Sequence, residues 1–281
     1  MKTVQVTAGA LEYREEGDPS GRPVVLLHGL LMNDAQWNLA LPHLPPGFRY
    51  LLPVLPLGGH RVPMRDDADL TLGGMVGVVA DFLDALDLDD VTLVVSDWGG
   101  PLFLTDLGRD HRVCALVVCP SEAFDNFPPG LPGKVAWLAS RTTGTVRLAL
   151  RQLRIGWLRR RRLIFGMMAK RDVAQPIVDS WTRGGLASAG VRRDLVKYCR
   201  TRFDSTDLIR ATERLAAFDR PALVLWSDNP VMPAEHGRRL ADLLPQGRLQ
   251  KIDDAYVLVM LDQPERTAHA IGQFLTVTAN R

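Results

Sequence analysis

The chain has 281 residues, enough for one large α/β domain with an insertion or for two small domains, and its 46% hydrophobic and 23% charged residues are those of an ordinary folded protein. A net charge of +2 supplies no overall attraction to nucleic acid or membrane. Cys114, Cys119 and Cys199 lack metal-ligand spacing, the N-terminus lacks a signal-peptide core, and no apolar stretch reaches span length, so reduced thiols, a cytoplasmic location and no transmembrane segment are expected.

Residues 1–6 alternate as a strand does. Short apolar runs follow at 23–27, 49–54, 91–95, 114–119 and 221–226, the pattern of buried parallel strands. Amphipathic segments of helix length lie between them: 71–86 carries Met75, Val78, Val79, Phe82, Leu83 and Leu86 at the spacing of one helical face, and 235–244 is another. The alternation stops over 124–218, where 135–158 and 176–182 read as helix and no strand is expected. Pro128-Pro129-Gly130 with Pro132-Gly133 marks the start of this region and Asp219-Arg220-Pro221 its end. The spacing therefore predicts an α/β fold with a mostly parallel, doubly wound sheet, formed by 1–123 and 219–281, and a helical cap from 124–218.

Three phrases carry chemistry or its frame. Asp97-Trp98-Gly99-Gly100 places a carboxylate where the run at 91–96 turns into a helix; His28-Gly29 follows the run at 23–27; Leu261-Asp262-Gln263-Pro264-Glu265 closes the chain. In this order, and with a cap after the next strand, the chain resembles the α/β-hydrolase fold family over almost its whole length. The resemblance is specifically to the Asp-nucleophile branch of haloalkane dehalogenases and epoxide hydrolases.

The resemblance implies a strained small-x-nucleophile-x-small turn, which Val95-Ser96-Asp97-Trp98-Gly99 fits except at Val95. A frame centred on Ser96 would force Trp98 into a small position, so Asp97 is the expected nucleophile, with helix capping as its structural alternative. In the dehalogenases the tryptophan after the nucleophile donates its indole N–H to the leaving halide, a role that would fall to Trp98. His28 and Gly29 would open the loop whose Leu30 N–H, with that of Trp98, stabilises an oxyanion or leaving group. The halide-binding asparagine of the dehalogenases and the proline of the epoxide hydrolases would fall at Leu30 and Leu31, so both signatures are absent. Asn33 is left as a substitute from one turn further on, or as a helix cap.

For the triad acid, Glu122 is preferred and Asp228 held in reserve, each with a solvated loop carboxylate as the plain alternative. The usual histidine position falls at Val257 or Tyr256, neither of which takes a proton near neutral pH. His60, in a glycine-rich loop, is the candidate replacement base, with an exposed loop histidine as its alternative. Tyr198 is the one cap tyrosine, where the epoxide hydrolases use two. No metal or organic cofactor is implied.

From Lys134 to Arg171 the chain is rich in Arg and Lys without one Asp or Glu, and reads as an amphipathic basic helix followed by an apolar one. This stretch suits an anionic substrate, an acidic partner or an anionic membrane surface, or is a solvated face balanced by acids elsewhere; nucleic acid is not expected. The expected function is Asp97-centred, haloalkane-dehalogenase-like hydrolysis of a small molecule. The alternatives are an isomerase, cyclase or lyase acting on a natural-product-like molecule, and a non-catalytic binding protein retaining the fold.

Overall fold

The computed structural model describes residues 1–200 and 205–279; residues 201–204 of the expected cap and 280–281 of the expected core lie outside the described residues. Its strands are β1 (Lys2–Val6), β2 (Gly9–Gly17), β3 (Arg22–Leu26), β4 (Phe48–Pro53), β5 (Val91–Asp97), β6 (Val113–Ser121), β7 (Pro221–Trp226) and β8 (Gln246–Lys251). They form one sheet in the order β1-β2-β4-β3-β5-β6-β7-β8. β1 pairs antiparallel with β2 and β2 with β4, while every other neighbouring pair is parallel.

The sheet follows from the apolar runs. β5, Val-Thr-Leu-Val-Val-Ser-Asp, is buried along its whole length, as a central parallel strand covered on both faces must be. β8 carries no apolar run: Gln246-Gly247-Arg248-Leu249-Gln250-Lys251 is an edge strand with mostly exposed side chains, and polar composition protects an edge from further pairing.

Helix α1 (Leu72–Ala85) starts where the Thr71 hydroxyl accepts the N–H of Gly74 at 3.3 Å, and it buries Met75, Val78, Val79, Phe82 and Leu83 against the sheet. α2 (Phe103–Asp106) follows β5. Between β6 and β7 come α3 (Gly130–Ala139), α4 (Thr143–Leu153), α5 (Gly156–Arg159), α6 (Gln175–Ala187), α7 (Ala189–Arg200) and α8 (Ser205–Glu213), and the chain closes with α9 (Ala234–Leu243), α10 (Val259–Asp262) and α11 (Pro264–Ala279).

The helical reading of 135–158 needs correction, because three helices occupy it. Thr142 ends the first possibility of continuation: its hydroxyl accepts the Thr145 N–H at 3.2 Å while its own N–H donates to Thr145 Oγ1 at 3.3 Å, a reciprocal cap that starts α4 anew. The apolar stretch expected to be a second helix after the basic one forms turns over 162–168 instead.

Candidate active site

β5 ends at Asp97 in the left-handed region, with φ +63°, a conformation costly for a residue with a side chain and one that stores strain at a sharp strand-to-helix turn. The turn is closed by the Trp98 N–H, which donates to the Ser96 carbonyl at 2.7 Å. Gly99 is required next, because a Cβ there would overlap the backbone carbonyl of Glu122. Gly29 is required for a related reason: a Cβ on it would overlap the Asp97 carboxylate, which lies directly against the loop after β3.

That loop presents the N–H of Leu30 to Asp97 Oδ2 at 3.0 Å. Gln36 holds the loop in place: its Oε1 accepts the Gly29 N–H at 2.9 Å and its Nε2 donates to Ser96 Oγ at 3.0 Å, tying the loop to the residue before Asp97. From β6, the Glu122 N–H donates to the Asp97 carbonyl at 3.1 Å, and the Gly99 N–H donates back to Glu122 Oε2 at 3.3 Å. Trp98 Nε1 donates to the Tyr198 hydroxyl of α7 at 2.8 Å, with the two rings edge to face.

Asp97, Trp98, Glu122, Leu30 and Tyr198 line one cavity, with about 680 Å³ of space not filled by atoms that includes open solvent. Asp97, Glu122, Trp98 and Leu30 stand on its sheet side. Pro128, Pro132, Trp137, Ile164, Phe165, Met168, Tyr198 and Cys199 come from the segment between β6 and β7. The wall is thus largely apolar around two carboxyls, a phenol and a thiol. Burial pushes Asp97 up to about 6, opposed by the hydrogen bond from Leu30. Glu122 is driven well above the ordinary carboxyl range by burial and then by the Asp97 charge, with the Gly99 N–H acting against both. Burial also raises Tyr198, helped by Glu122, and pushes the Cys199 thiol up to about 12. Both carboxyls are thus shifted toward the protonated form, Glu122 by the Asp97 charge as well as by burial.

Asp97, Glu122, Trp98, Leu30 and Tyr198, each singled out from the sequence, come together here. Gly29 lies against the Asp97 carboxylate, whereas His28, His60, Asn33 and Asp228 do not join them. His28 is buried under the loop, its Nδ1 bonded to the Gly29 carbonyl at 2.9 Å and its Nε2 accepting the Leu55 N–H at 2.8 Å. Burial lowers it to about 4, so it is a neutral strut, not a leaving-group donor. His60, the replacement base, is buried away from the cavity, with Nε2 3.2 Å from Asp194 of α7 and Nδ1 accepting the Gly58 N–H at 3.4 Å. Asn33 caps the short 3-10 turn after β3 by accepting the Ala35 N–H at 3.0 Å, and its amide reaches Gly59 and Ser180. Asn33 and His60 thus fasten the loops after β3 and β4 to α6 and α7. Asp228 is exposed and pairs with Lys251 at 2.7 Å. The Trp98 N–H, spent on Ser96, leaves Leu30 as the backbone donor at Asp97, and the indole N–H is engaged by Tyr198 before any ligand arrives.

No histidine lines the cavity among the described residues. Val257, one of the two positions at which the resemblance would put a histidine, is fully buried, and Leu258 beside it donates its N–H to the Met168 carbonyl at 3.0 Å. No cluster of three metal-ligating side chains is present among the described residues. Sequence reasoning missed Gln36, Trp137 and Met168. Trp137 and Met168 sit in helical or turn segments whose facing is not readable from spacing, and Pro128-Pro129 was legible only as a boundary.

Residues 24–270 match the model of the alpha/beta hydrolase family. A haloalkane dehalogenase of Mesorhizobium japonicum is 32% identical over 146 residues, which are 50% of this chain and 46% of that protein, so that match spans about half of each. A cis-3-alkyl-4-alkyloxetan-2-one decarboxylase of Xanthomonas campestris pv. campestris is 28% identical over 98% of this chain and 95% of its own length. Among solved structures, a loop variant of a haloalkane dehalogenase from Bradyrhizobium elkanii superposes with a TM-score of 0.74 at 17% identity, covering 99% of this chain and 97% of that one, a likeness of fold.

Proposed function

The chain is an enzyme of the alpha/beta hydrolase family, and from that premise we propose that its Asp97 carboxylate attacks an electrophilic carbon of a small apolar substrate whose leaving atom is oxygen. The observation that carries this reading is the pair itself: Asp97, which ionises at about 6, at a strained turn beside Glu122, which burial and the Asp97 charge push toward its protonated form, in an apolar cavity. An oxygen leaving group is favoured over halide because the indole N–H that a halide needs already serves Tyr198. The acids near the nucleophile are then the Glu122 carboxyl and the Tyr198 hydroxyl, the latter made a better donor by accepting from Trp98.

With Oδ2 held by Leu30, Oδ1 forms the new C–O bond. The substrate C–O bond breaks, its electron pair stays on the departing oxygen, and Glu122 supplies the proton. Glu122, having given up its proton, is left as a carboxylate; the ester carries no charge at Asp97, so one of the two causes that raise Glu122 is gone, while burial still makes that carboxylate a strong base. It takes a proton from water, whose oxygen attacks Cγ of Asp97; the charge built on Oδ2 faces the Leu30 N–H. Collapse expels the product alkoxide, which recovers that proton from Glu122, and the proton left on the Asp97 acid returns to Glu122. One carboxyl thus acts first as acid and then as base, in place of a histidine.

A second reading rests on the relative matched along nearly its whole length, which is named for decarboxylation of an oxetan-2-one. Attack of Asp97 on ring C4 breaks the ring C–O bond and frees a carboxylate on C3. Loss of carbon dioxide then forms the C3=C4 bond and expels Asp97 as carboxylate, with no water consumed.

A single turnover in heavy-oxygen water, followed by mass spectrometry of the peptide containing Asp97, tests both. Hydrolysis through the ester leaves labelled oxygen in Asp97. Release of carbon dioxide with unlabelled Asp97 selects the second reading. Turnover by an Asp97→Asn variant at the wild-type rate overturns both.

A further inference from the structure

We propose that the outer face of the segment around α4 and α5 docks on an anionic lipid bilayer, so that the cavity takes its substrate from the membrane surface; the docking stands independently of the chemistry proposed for Asp97. The geometry of α4 sets the face. Val146, Leu150 and Leu153 point inward and are buried, which leaves Arg147, Leu148 and Arg151 outward and exposed. Beyond α4, Ile155, Trp157 and Leu163 are exposed as well, Trp157 at 66% of its surface, and so are Arg160, Arg161 and Arg162.

Two features of this surface point to lipid. Arg147, Arg151, Arg160 and Arg162 form no ion pair among the described residues, and Arg161 lies over the Trp157 ring at 5.5 Å, also without a carboxylate partner. Cations without internal counterions, in a stretch from Lys134 to Arg171 with no acid, form a positive field that anionic headgroups complete. An acidic protein would need that charge alone. The large exposed aliphatic and aromatic side chains set among the arginines are what an acyl boundary takes up, and a tryptophan flanked by guanidinium groups suits the headgroup level.

α3 connects this surface to the chemistry. Pro132, Gly133, Ala136 and Trp137 line the cavity, while Leu138 on the same helix is 67% exposed. A lipid-soluble substrate leaving the bilayer at this helix meets the apolar cavity wall without crossing bulk water.

The test is co-sedimentation of the intact protein with vesicles of phosphatidylcholine alone, or of equal parts phosphatidylcholine and phosphatidylglycerol, at low and at high salt. Binding is expected to the anionic vesicles at low salt and to fall steeply with salt. The variant R160Q/R161Q/R162Q is expected to bind on the order of 100-fold more weakly, from the attraction of about three cations near a charged surface. Trp157→Ser is expected to weaken binding on the order of tenfold at every salt concentration. These side chains are exposed, so unchanged melting temperatures check that the variants fold. Equal binding to both vesicle types, no sedimentation with the anionic ones, or full binding by the arginine variant overturns the proposal. So does a concentration-dependent dimer, in the absence of lipid, that Trp157→Ser abolishes, since the face would then belong to a second copy.

Discussion

The backbone N–H of Glu122 donates to the carbonyl of Asp97 at 3.1 Å. This bond joins the ends of β5 and β6 and places two carboxyl side chains in one apolar cavity, where the charge of Asp97 opposes ionisation of Glu122. Their joint titration is expected to give kcat/KM a bell-shaped pH dependence. The rising limb lies at about 6, as Asp97 ionises. The falling limb follows when Glu122 loses its proton, well above the ordinary carboxyl range. A Glu122→Gln variant should lose the falling limb and on the order of 10²- to 10⁴-fold in kcat. A falling limb unchanged in that variant would remove Glu122 from acid catalysis.

Asp97 is expected to lower stability at the pH where it works. Its folded pKa of about 6 lies above the unfolded value near 3.8, so the folded state binds the proton more tightly. Its favourable contribution is complete below about pH 4 and lost as pH rises through 6. Asp97→Asn, which keeps an oxygen for the Leu30 N–H, should therefore stabilise the protein by on the order of 3 kcal/mol at pH 8 and by little at pH 4. Urea melts at both values check the sign.

His28 and His60 should separate structural from catalytic loss. The folded His28 titrates at about 4 against an ordinary 6.5. Stability is full above 6.5 and falls by on the order of 3 kcal/mol as pH drops through 4. His28→Ala removes that dependence, and stranding the Leu55 N–H should cost about 1–3 kcal/mol at pH 7. His60→Gln, which can still donate to Asp194, is expected to keep kcat within about threefold, since the general-base contribution it would otherwise lose is 10²-fold or more. A 10²-fold fall in kcat with an unchanged melting temperature would restore His60 as a base.

Gly29→Ala is expected to fold and to lose activity. The added methyl meets the Asp97 carboxylate and pushes it from the Leu30 N–H, and a displacement near 1 Å at a reacting group costs on the order of 10²-fold. Steady-state kinetics beside a thermal melt distinguish this from simple unfolding.

The core strands β3 to β7 were legible in the sequence because strands buried on both faces must be written in Val, Leu and Ala, and nothing distant alters that requirement. Asp97 was legible for a similar local reason: a left-handed turn followed closely by a crossing backbone demands glycine at 99, and the pattern records the demand. β8 was not, since an edge strand has no burial to report. His60 was placed by its loop alone, but its direction is set by Asp194, 134 residues away, whose buried carboxylate also gathers the Met64 N–H and the Arg193 guanidinium. The upward shift of Glu122 could not be read from Cys119-Pro120-Ser121-Glu122 at all. It depends on the charge of Asp97 across a parallel strand pair and on the apolar wall brought over both by residues 127–168, and such long-range fields exist only once the chain is folded.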